Sequence, residues 1–280
     1  MDRVVRRLNL RGSGVGRIMA GQSISVDGIS VDGDVLWAGI RRASSRTKEP
    51  ILCILRDKAM TFVAPGALRM VVLWQFDLKR RLSDNAVFTI PPMIASFLAT
   101  EAIRDTIKIE VDEDRATLVT QDQWGRYELR WRSDVSAFTA PGEFSRLLAK
   151  PSHFTEVSYL HFSDIVHAAV AKLVSMESER QIHPTKLAIL VDFGRPTLRI
   201  DGQEIEAGTR AQYYFDPRLI IRALEFIKSD TLQVGLTKVT EPNRAFLSIL
   251  AKQDGYTVHC ALLSIGVNTQ QLYPLPPKSR

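Results

Sequence analysis

One pattern occurs twice in this chain, and it constrains the fold more than any other feature. Phe88-Thr89-Ile90-Pro91 opens an apolar helical run and leads to Arg104-Asp105-Thr106-Ile107-Lys108-Ile109-Glu110-Val111. Phe215-Asp216-Pro217 opens another and leads to Ser229-Asp230-Thr231-Leu232-Gln233-Val234-Gly235-Leu236. The two Asp-Thr pairs, Asp105-Thr106 and Asp230-Thr231, lie 125 residues apart. Solenoid repeats have periods of roughly 20 to 50 residues, so a period this long marks a duplicated domain. In a chain of 280 residues two copies account for most of the length. Each copy reads as sheet, helix, sheet, helix, sheet, which is an α+β arrangement of helices packed on antiparallel sheets. The expected domains are residues 1–150, with a linker over 133–150, and residues 151–280, with a proline-rich tail.

The second copy shows why its helix forms. Asp216 can cap the first free backbone N–H groups, and Pro217 sits where its missing N–H costs nothing. On a 3.6-residue wheel Leu219, Ile220, Ala223, Leu224, Phe226 and Ile227 share one face, while Arg218, Arg222, Glu225 and Ser229 share the other. Such a helix lies on a sheet and shows arginines outward. Strand candidates follow it as far as Ile265.

Upstream, Met1 to Leu10 suits a basic strand, and Gly12-Ser13-Gly14-Val15-Gly16-Arg17 reads as a turn into a short helix over Val15 to Ala20. That turn could cradle a phosphate, but no Lys-Ser/Thr pair accompanies it. Between Ser23 and Val72 the β-branched and aromatic runs Ile24 to Val26, Val31, Val35 to Ile40, Ile51 to Leu55 and Met60 to Val63 are expected to be strands. Asp27-Gly28, Asp32-Gly33 and Asp57-Lys58 are expected turns between them. Arg41, Arg42, Arg46 and Lys48 then form a basic hairpin loop, able to touch phosphate. A helix is expected from Pro91-Pro92 to about Ile103, followed by strands over Ile107 to Val111, Ala116 to Thr120 and Trp124 to Trp131. A further helix opens at Ser163-Asp164 and places Ile165, Val166, Ala169, Val170, Leu173 and Met176 on one face.

Catalytic and metal chemistry find little support. The five histidines never reach the spacing of a zinc helix, and the carboxylates Asp112-Glu113-Asp114 are turn chemistry. Cys53 and Cys260 both sit in apolar runs, as buried thiols of a reducing compartment do. No apolar run approaches the roughly 20 residues a membrane span needs, and a cytoplasmic protein without cofactor or metal is expected. A formal net charge of +6 makes a polyanion a plausible partner, although charged residues of mixed sign make up an ordinary 24% of the chain.

The chain resembles the DNA sliding clamps, and among them the bacterial DNA polymerase III beta subunit. Phe215 to Lys228, Leu232 to Leu236 and Gly255-Tyr256-Thr257-Val258 look like the last half of that family's third domain. Phe162 to Met176 with Lys186 to Leu190 is similar to the start of the same domain. Phe62 to Val72 looks like the V-A-T-D-G-H-R-L-A-V segment of the middle domain, and Pro141 to Leu148 like the P-D-Y-R-R-V-L linker. The resemblance spans nearly the whole chain.

This resemblance implies a ring of six such domains around duplex DNA, helices inside and sheets outside. Arg17, Arg104, Lys172, Arg218 and Arg222 are the implied inner-face contacts to phosphate, which carry no sequence information and so permit sliding. It also implies a hydrophobic pocket that takes a short peptide from polymerases and other DNA enzymes. Carried over, that pocket draws on Pro65, Ala67, Leu68, Arg69 and Met70, on Pro141, Arg146 and Leu147, and on Thr257, His259 and Ala261. Trp37 takes the place of a leucine that borders it. With about two domains instead of three, a six-domain ring needs three copies, and a clamp loader is an implied partner.

The chain departs from the family pattern at Gly66-Ala67-Leu68-Arg69, where the family has D-G-H-R, and in its tail, which runs through Gln270, Gln271, Leu272 and Tyr273 to Pro277. Three functions follow from the sequence. The first is a DNA-encircling processivity factor that tethers a polymerase or another DNA enzyme. The second is a clamp-fold adaptor that binds partner peptides or DNA without encircling. The third is an enzyme built on the Gly12 to Gly16 loop.

Overall fold

The computed structural model describes residues 5–7, 28–65, 70–100, 106–112, 114–122, 125–138, 154–178, 189–193, 198–200, 203–205, 212–238 and 245–264. The chain divides into two compact units. Unit 1 takes Met1–Gly66 and Leu73–Ala140; unit 2 takes Ala67–Val72 and Pro141–Arg280. The glycine-rich turn, the helix expected after it and the strand expected at Ile24 lie outside the described residues.

In unit 1, β1 (Val5–Arg7) precedes β2 (Ile29–Asp32), α1 (Gly33–Ser44), β3 (Ile51–Arg56), β4 (Ala59–Pro65), β5 (Met70–Asp77), β6 (Ala86–Ile90), α2 (Pro92–Thr100), β7 (Thr106–Asp112), β8 (Arg115–Asp122) and β9 (Gly125–Arg132). In unit 2 the order is β10 (Phe154–Ser158), α3 (Tyr159–Ser178), β11 (Ile189–Phe193), β12 (Leu198–Ile200), β13 (Gln203–Ile205), β14 (Gln212–Phe215), α4 (Pro217–Leu224), β15 (Thr231–Lys238), β16 (Ala245–Gln253) and β17 (Tyr256–Leu263). From β2 and from β10 onward the two orders are identical. The duplication seen in sequence around α2 and α4 therefore extends through the described strands and helices of both halves.

The sheets repeat as well. Unit 1 has β2-β7-β8-β9, extended by β1, and β6-β3-β4-β5; unit 2 has β10-β15-β16-β17 and β14-β11-β12-β13. The pairs β2–β7, β8–β9, β10–β15 and β11–β12 are antiparallel, whereas on β9 the residues Val5, Arg6 and Arg7 of β1 run parallel beside Arg126, Tyr127 and Glu128. Residues Met70–Val72 of β5 count with unit 2.

Helices cover the sheets. In unit 1 α1 packs on α2, and in unit 2 α3 packs on α4. The core of unit 1 gathers Leu36, Ile40 and Ala43 of α1 with Phe62, Phe88, Ile94, Leu98, Ile107 and Trp131, all buried. Its polar groups are matched. Thr89 donates its backbone N–H to Ser133 Oγ at 2.9 Å, and Trp131 Nε1 donates to the Thr89 carbonyl at 2.6 Å. In unit 2 Ser264 accepts the Ala245 N–H at 2.9 Å, which holds the end of β17 to the start of β16.

The structure corrects the expected strand at Val35 to Ile40, which is the middle of α1. Asp32 is no turn residue but an N-cap: its Oδ1 accepts the Asp34 N–H at 3.1 Å. Leu36, Gly39, Ile40 and Ala43 fall at helical spacing and are buried, and that stripe overrides the β propensity of Val35 and Trp37. Arg41 and Arg42 are accordingly in the last turn of α1, where cations suit the helix dipole, and are not in a hairpin loop. The helix expected from Ser163 begins a turn earlier, at Tyr159. Val157, Phe162, Ile165, Val166 and Ala169 are buried against its sheet.

Candidate functional site

Helix α4 carries the clearest charged surface. Asp216 Oδ1 accepts the Arg218 N–H at 2.9 Å, and Pro217 stands in the first turn. Leu219, Ile220, Ala223 and Leu224 are buried, and Cys260 Sγ lies 3.6 Å from the Ala223 carbonyl, which fixes the helix to β17. The opposite face leaves Arg218 and Arg222 exposed, one turn apart. Among the described residues neither joins an ion pair, so both guanidinium groups are available to an outside anion.

A second pair of cations ends α1. The Arg41 guanidinium lies over the Trp37 ring at 5.0 Å, and Arg42 lies over Phe76 at 5.8 Å while donating to the Ala38 carbonyl at 3.2 Å. Stacking on aromatic faces reduces the side-chain freedom that binding would otherwise remove. Sequence reasoning placed these arginines in a loop. The capping Asp32 followed by apolar residues at 36, 40 and 43 was the signal that locates them on a helix.

The other two helices differ. On α2 the exposed residues are Met93, Ser96 and Thr100; on α3 they include Leu160, His161, Asp164, His167, Ala168, Ala171 and Val174. Lysine and arginine are absent from both sets among the described side chains. Of the five expected phosphate contacts, Arg218 and Arg222 stand exposed on α4. Lys172 belongs to α3 by its backbone, without a described side chain, and Arg17 and Arg104 fall outside the described residues.

The expected pocket residues distribute over both units. In unit 2, Met70, His259 and Ala261 are buried and Thr257 is half-buried. Phe246 and Ala261 form a small apolar cluster with Val71 and Leu263, and His259 Nε2 meets Ser248 Oγ at 3.0 Å. In unit 1, Pro65 ends β4 and Trp37 is half-buried on α1. The Trp37 Nε1 atom is fully buried and has no hydrogen-bond partner among the described residues. Ala67, Leu68, Arg69, Pro141, Arg146 and Leu147 fall outside the described residues.

The remaining chemistry is sparse. Among the described residues no group of three His, Cys, Asp or Glu side chains could hold a metal ion. Burial pushes the thiols of Cys53 and Cys260 far above their ordinary range, so both are protonated and unreactive in the folded chain. Asp134 is held below the usual carboxylate range by its hydrogen bonds from Ser136, an Asx-type turn at the surface. Among the described residues no helix is long and apolar enough to cross a membrane.

No protein-family model matches the chain, and no curated protein does. Solved structures do. The DNA polymerase III beta subunit of Thermotoga maritima superposes with a TM-score of 0.56 at 14% identity, covering 90% of this chain and 68% of that one. The sliding clamp of Pseudomonas aeruginosa gives 0.56 at 12%, covering 92% and 70%. That of Bacillus subtilis gives 0.53 at 10%, covering 89% and 67%. At such low identity the likeness speaks for architecture, and it agrees with the duplicated order of strands and helices: the chain has the fold of the DNA sliding clamps.

Proposed function

We propose that this chain is a clamp-like processivity factor, without catalysis of its own, that encircles duplex DNA and tethers a DNA polymerase or another DNA enzyme. The observation that carries this reading is the exposed Arg218–Arg222 pair on α4, on the face opposite the one buried on its sheet. Guanidinium groups on a rigid helix neutralise phosphates without reading bases, which suits a protein that moves along DNA. The clamp fold supports it, and residues 1–150 and 151–280 would be its two ring segments. Three copies would supply six segments; a loader would open the ring, and a partner peptide would dock on the residues around Met70, Thr257, His259 and Ala261.

The test is topological. A protein that encircles DNA is retained on closed circular plasmid and lost when the plasmid is linearised, whereas groove or backbone binding survives linearisation. Light scattering coupled to size exclusion gives the copy number, for which three is expected.

One observation favours a second reading. The exposed residues of α2, Met93, Ser96 and Thr100, carry no charge, whereas a uniformly cationic lining would use all four helices. A clamp-fold adaptor that binds partners or DNA without closing a ring needs only the α4 and α1 cations. Equal retention on circular and linear plasmid, from a monomer, would establish the adaptor.

A further inference from the structure

The charge pattern Arg-Arg-x-Ser occurs twice, as Arg41-Arg42-Ala43-Ser44 and as Arg80-Arg81-Leu82-Ser83. Protein kinases choose substrates partly by charge pattern, and two cations just ahead of a serine fit an acidic kinase cleft. To react, that serine must offer its hydroxyl while both guanidinium groups stay free to be bound. The fold meets this condition in one copy and denies it in the other.

The first copy closes α1. Ala43 is fully buried, Ser44 is half-buried, and the Arg42 guanidinium rests on Phe76 at 5.8 Å. The hydroxyls of Ser44 and of the next residue, Ser45, donate to the carbonyls of Arg41 and Arg42 at 3.4 and 2.8 Å. The second copy lies between β5 and β6, in a loop that is neither helix nor strand, and Lys79, Arg80, Arg81 and Ser83 are all exposed. Among the described residues the Ser83 hydroxyl has no hydrogen-bond partner. The loop is anchored to the β3–β4 turn, where the Leu78 N–H donates to the Lys58 carbonyl at 2.7 Å and the Leu82 N–H to the Asp57 carbonyl at 2.8 Å. Arg81 pairs with Asp57 at 3.2 Å, in solvent. Freeing Leu82 and Ser83 breaks one backbone bond and this exposed ion pair, roughly five- to thirtyfold in population. Freeing Ser44 means unwinding the last turn of α1 and pulling Ala43 from the core.

We propose that Ser83 is a phosphorylation site for an arginine-directed serine kinase that uses ATP. The Ser83 oxygen attacks the γ-phosphorus, and the new Oγ–P bond forms as the bond from that phosphorus to the β–γ bridging oxygen breaks. ADP leaves, and the hydroxyl proton passes to the kinase's catalytic aspartate. The product suits its surroundings. A phosphoserine carries about −1.5 to −2 charge at pH 7. Among the described residues Lys58 in the turn and Arg80 in the loop join no ion pair, and together they match one dianion and outweigh Asp84, the exposed carboxylate next in sequence. The site is independent of whether the chain encircles DNA.

The test incubates the folded full-length chain with a purified arginine-directed serine kinase and radiolabelled ATP, and locates the label by peptide mass spectrometry. Label is expected on Ser83. Ser83→Ala should abolish it, whereas Ser44→Ala with Ser45→Ala should leave it unchanged. Arg80→Ala with Arg81→Ala should slow the labelling at least about tenfold, the weight of one lost charge-assisted bond to the kinase. All of these side chains but Ser44 are exposed, so the variants keep the fold, and urea unfolding at an unchanged midpoint verifies this. An unlabelled Ser83, or Ser44 and Ser45 labelled as fast as Ser83, overturns the proposal.

Discussion

Gly39 offers the sharpest check on the packing of α1, because the ordinary expectation and the structural one have opposite signs. In an exposed helix interior, Gly→Ala stabilises by up to about 1 kcal/mol. Here an added Cβ would lie 1.9 Å from Phe62 Cε2, 2.2 Å from Cδ2 and 2.5 Å from Cζ. To reach ordinary contact at 3.4 Å the ring or the helix must give by about 1.5 Å. The ring has little room, since Phe62 is fully buried and stands edge-on to Phe76 at 5.9 Å between centroids. Shifting α1 would disturb Leu36, Ile40 and Ala43 on the same stripe. Overpacking of this kind costs about 1–3 kcal/mol or more, so Gly39→Ala should destabilise by about 2 kcal/mol after the propensity gain is taken off. Urea unfolding followed by tryptophan fluorescence reads this as a lower midpoint at unchanged slope. The same substitution in a Phe62→Leu background should cost at least about 1 kcal/mol less. A neutral or stabilising Gly39→Ala, or an identical cost in both backgrounds, would refute the account of α1 lying on β4.

Four further outcomes follow. Asp216→Ala removes the cap of α4 and should cost about 1 kcal/mol in urea unfolding, with Asp216→Gly costing only a few tenths. Ser133→Ala strands the buried Thr89 N–H and should cost about 1–3 kcal/mol by the same measurement, whereas a surface serine such as Ser45 should be near neutral. Arg218→Ala with Arg222→Ala should lower the slope of log affinity against log salt for duplex DNA by about 2, and an unchanged slope would return both residues to the solvated surface. The two thiols have raised folded values, so their contribution to stability is fully present below the unfolded thiol value of about 8.5 and falls as pH rises above it, by about 1.4 kcal/mol per thiol per pH unit. A Cys53→Ala, Cys260→Ala variant should lack that alkaline loss; wild-type stability tracking the variant from pH 8 to 10 would contradict it.

Where the sequence was legible, capping and periodicity agreed. Asp216, Pro217 and the apolar stripe from Leu219 to Leu224 define α4 by local rules that tertiary packing then confirms. The hairpin of β7 and β8 was legible because Ile107 and Ile109 alternate with Lys108 and Glu110 around a carboxylate turn. At α1 the cues conflicted. Val35 and Trp37 favour a strand by side-chain type, Gly33 and Gly39 are poor helix formers, and Asp32-Gly33 matches a hairpin turn. Only the buried stripe resolves the conflict, and Gly39 is there because Phe62 fills the space of its side chain, a fact of packing that no local rule contains. The site followed the same division. Arg218 and Arg222 were visible because their helix was, whereas Arg41 and Arg42 were misplaced with theirs.

The duplication held the correction to that error. In the second half a strand, β10, runs directly into α3, and the expectation of a helix near Ser163 was already sound. Carried back by the repeat distance, it calls for a helix near Ala38, where propensity argued for a strand. Two copies of one fold are independent samples of the same structural problem. A helix that is well marked in one copy therefore outweighs ambiguous local cues in the other, provided each position has a plausible side chain for it. Leu36, Ile40 and Ala43 satisfy that condition against Phe162, Val166 and Ala169, all six buried.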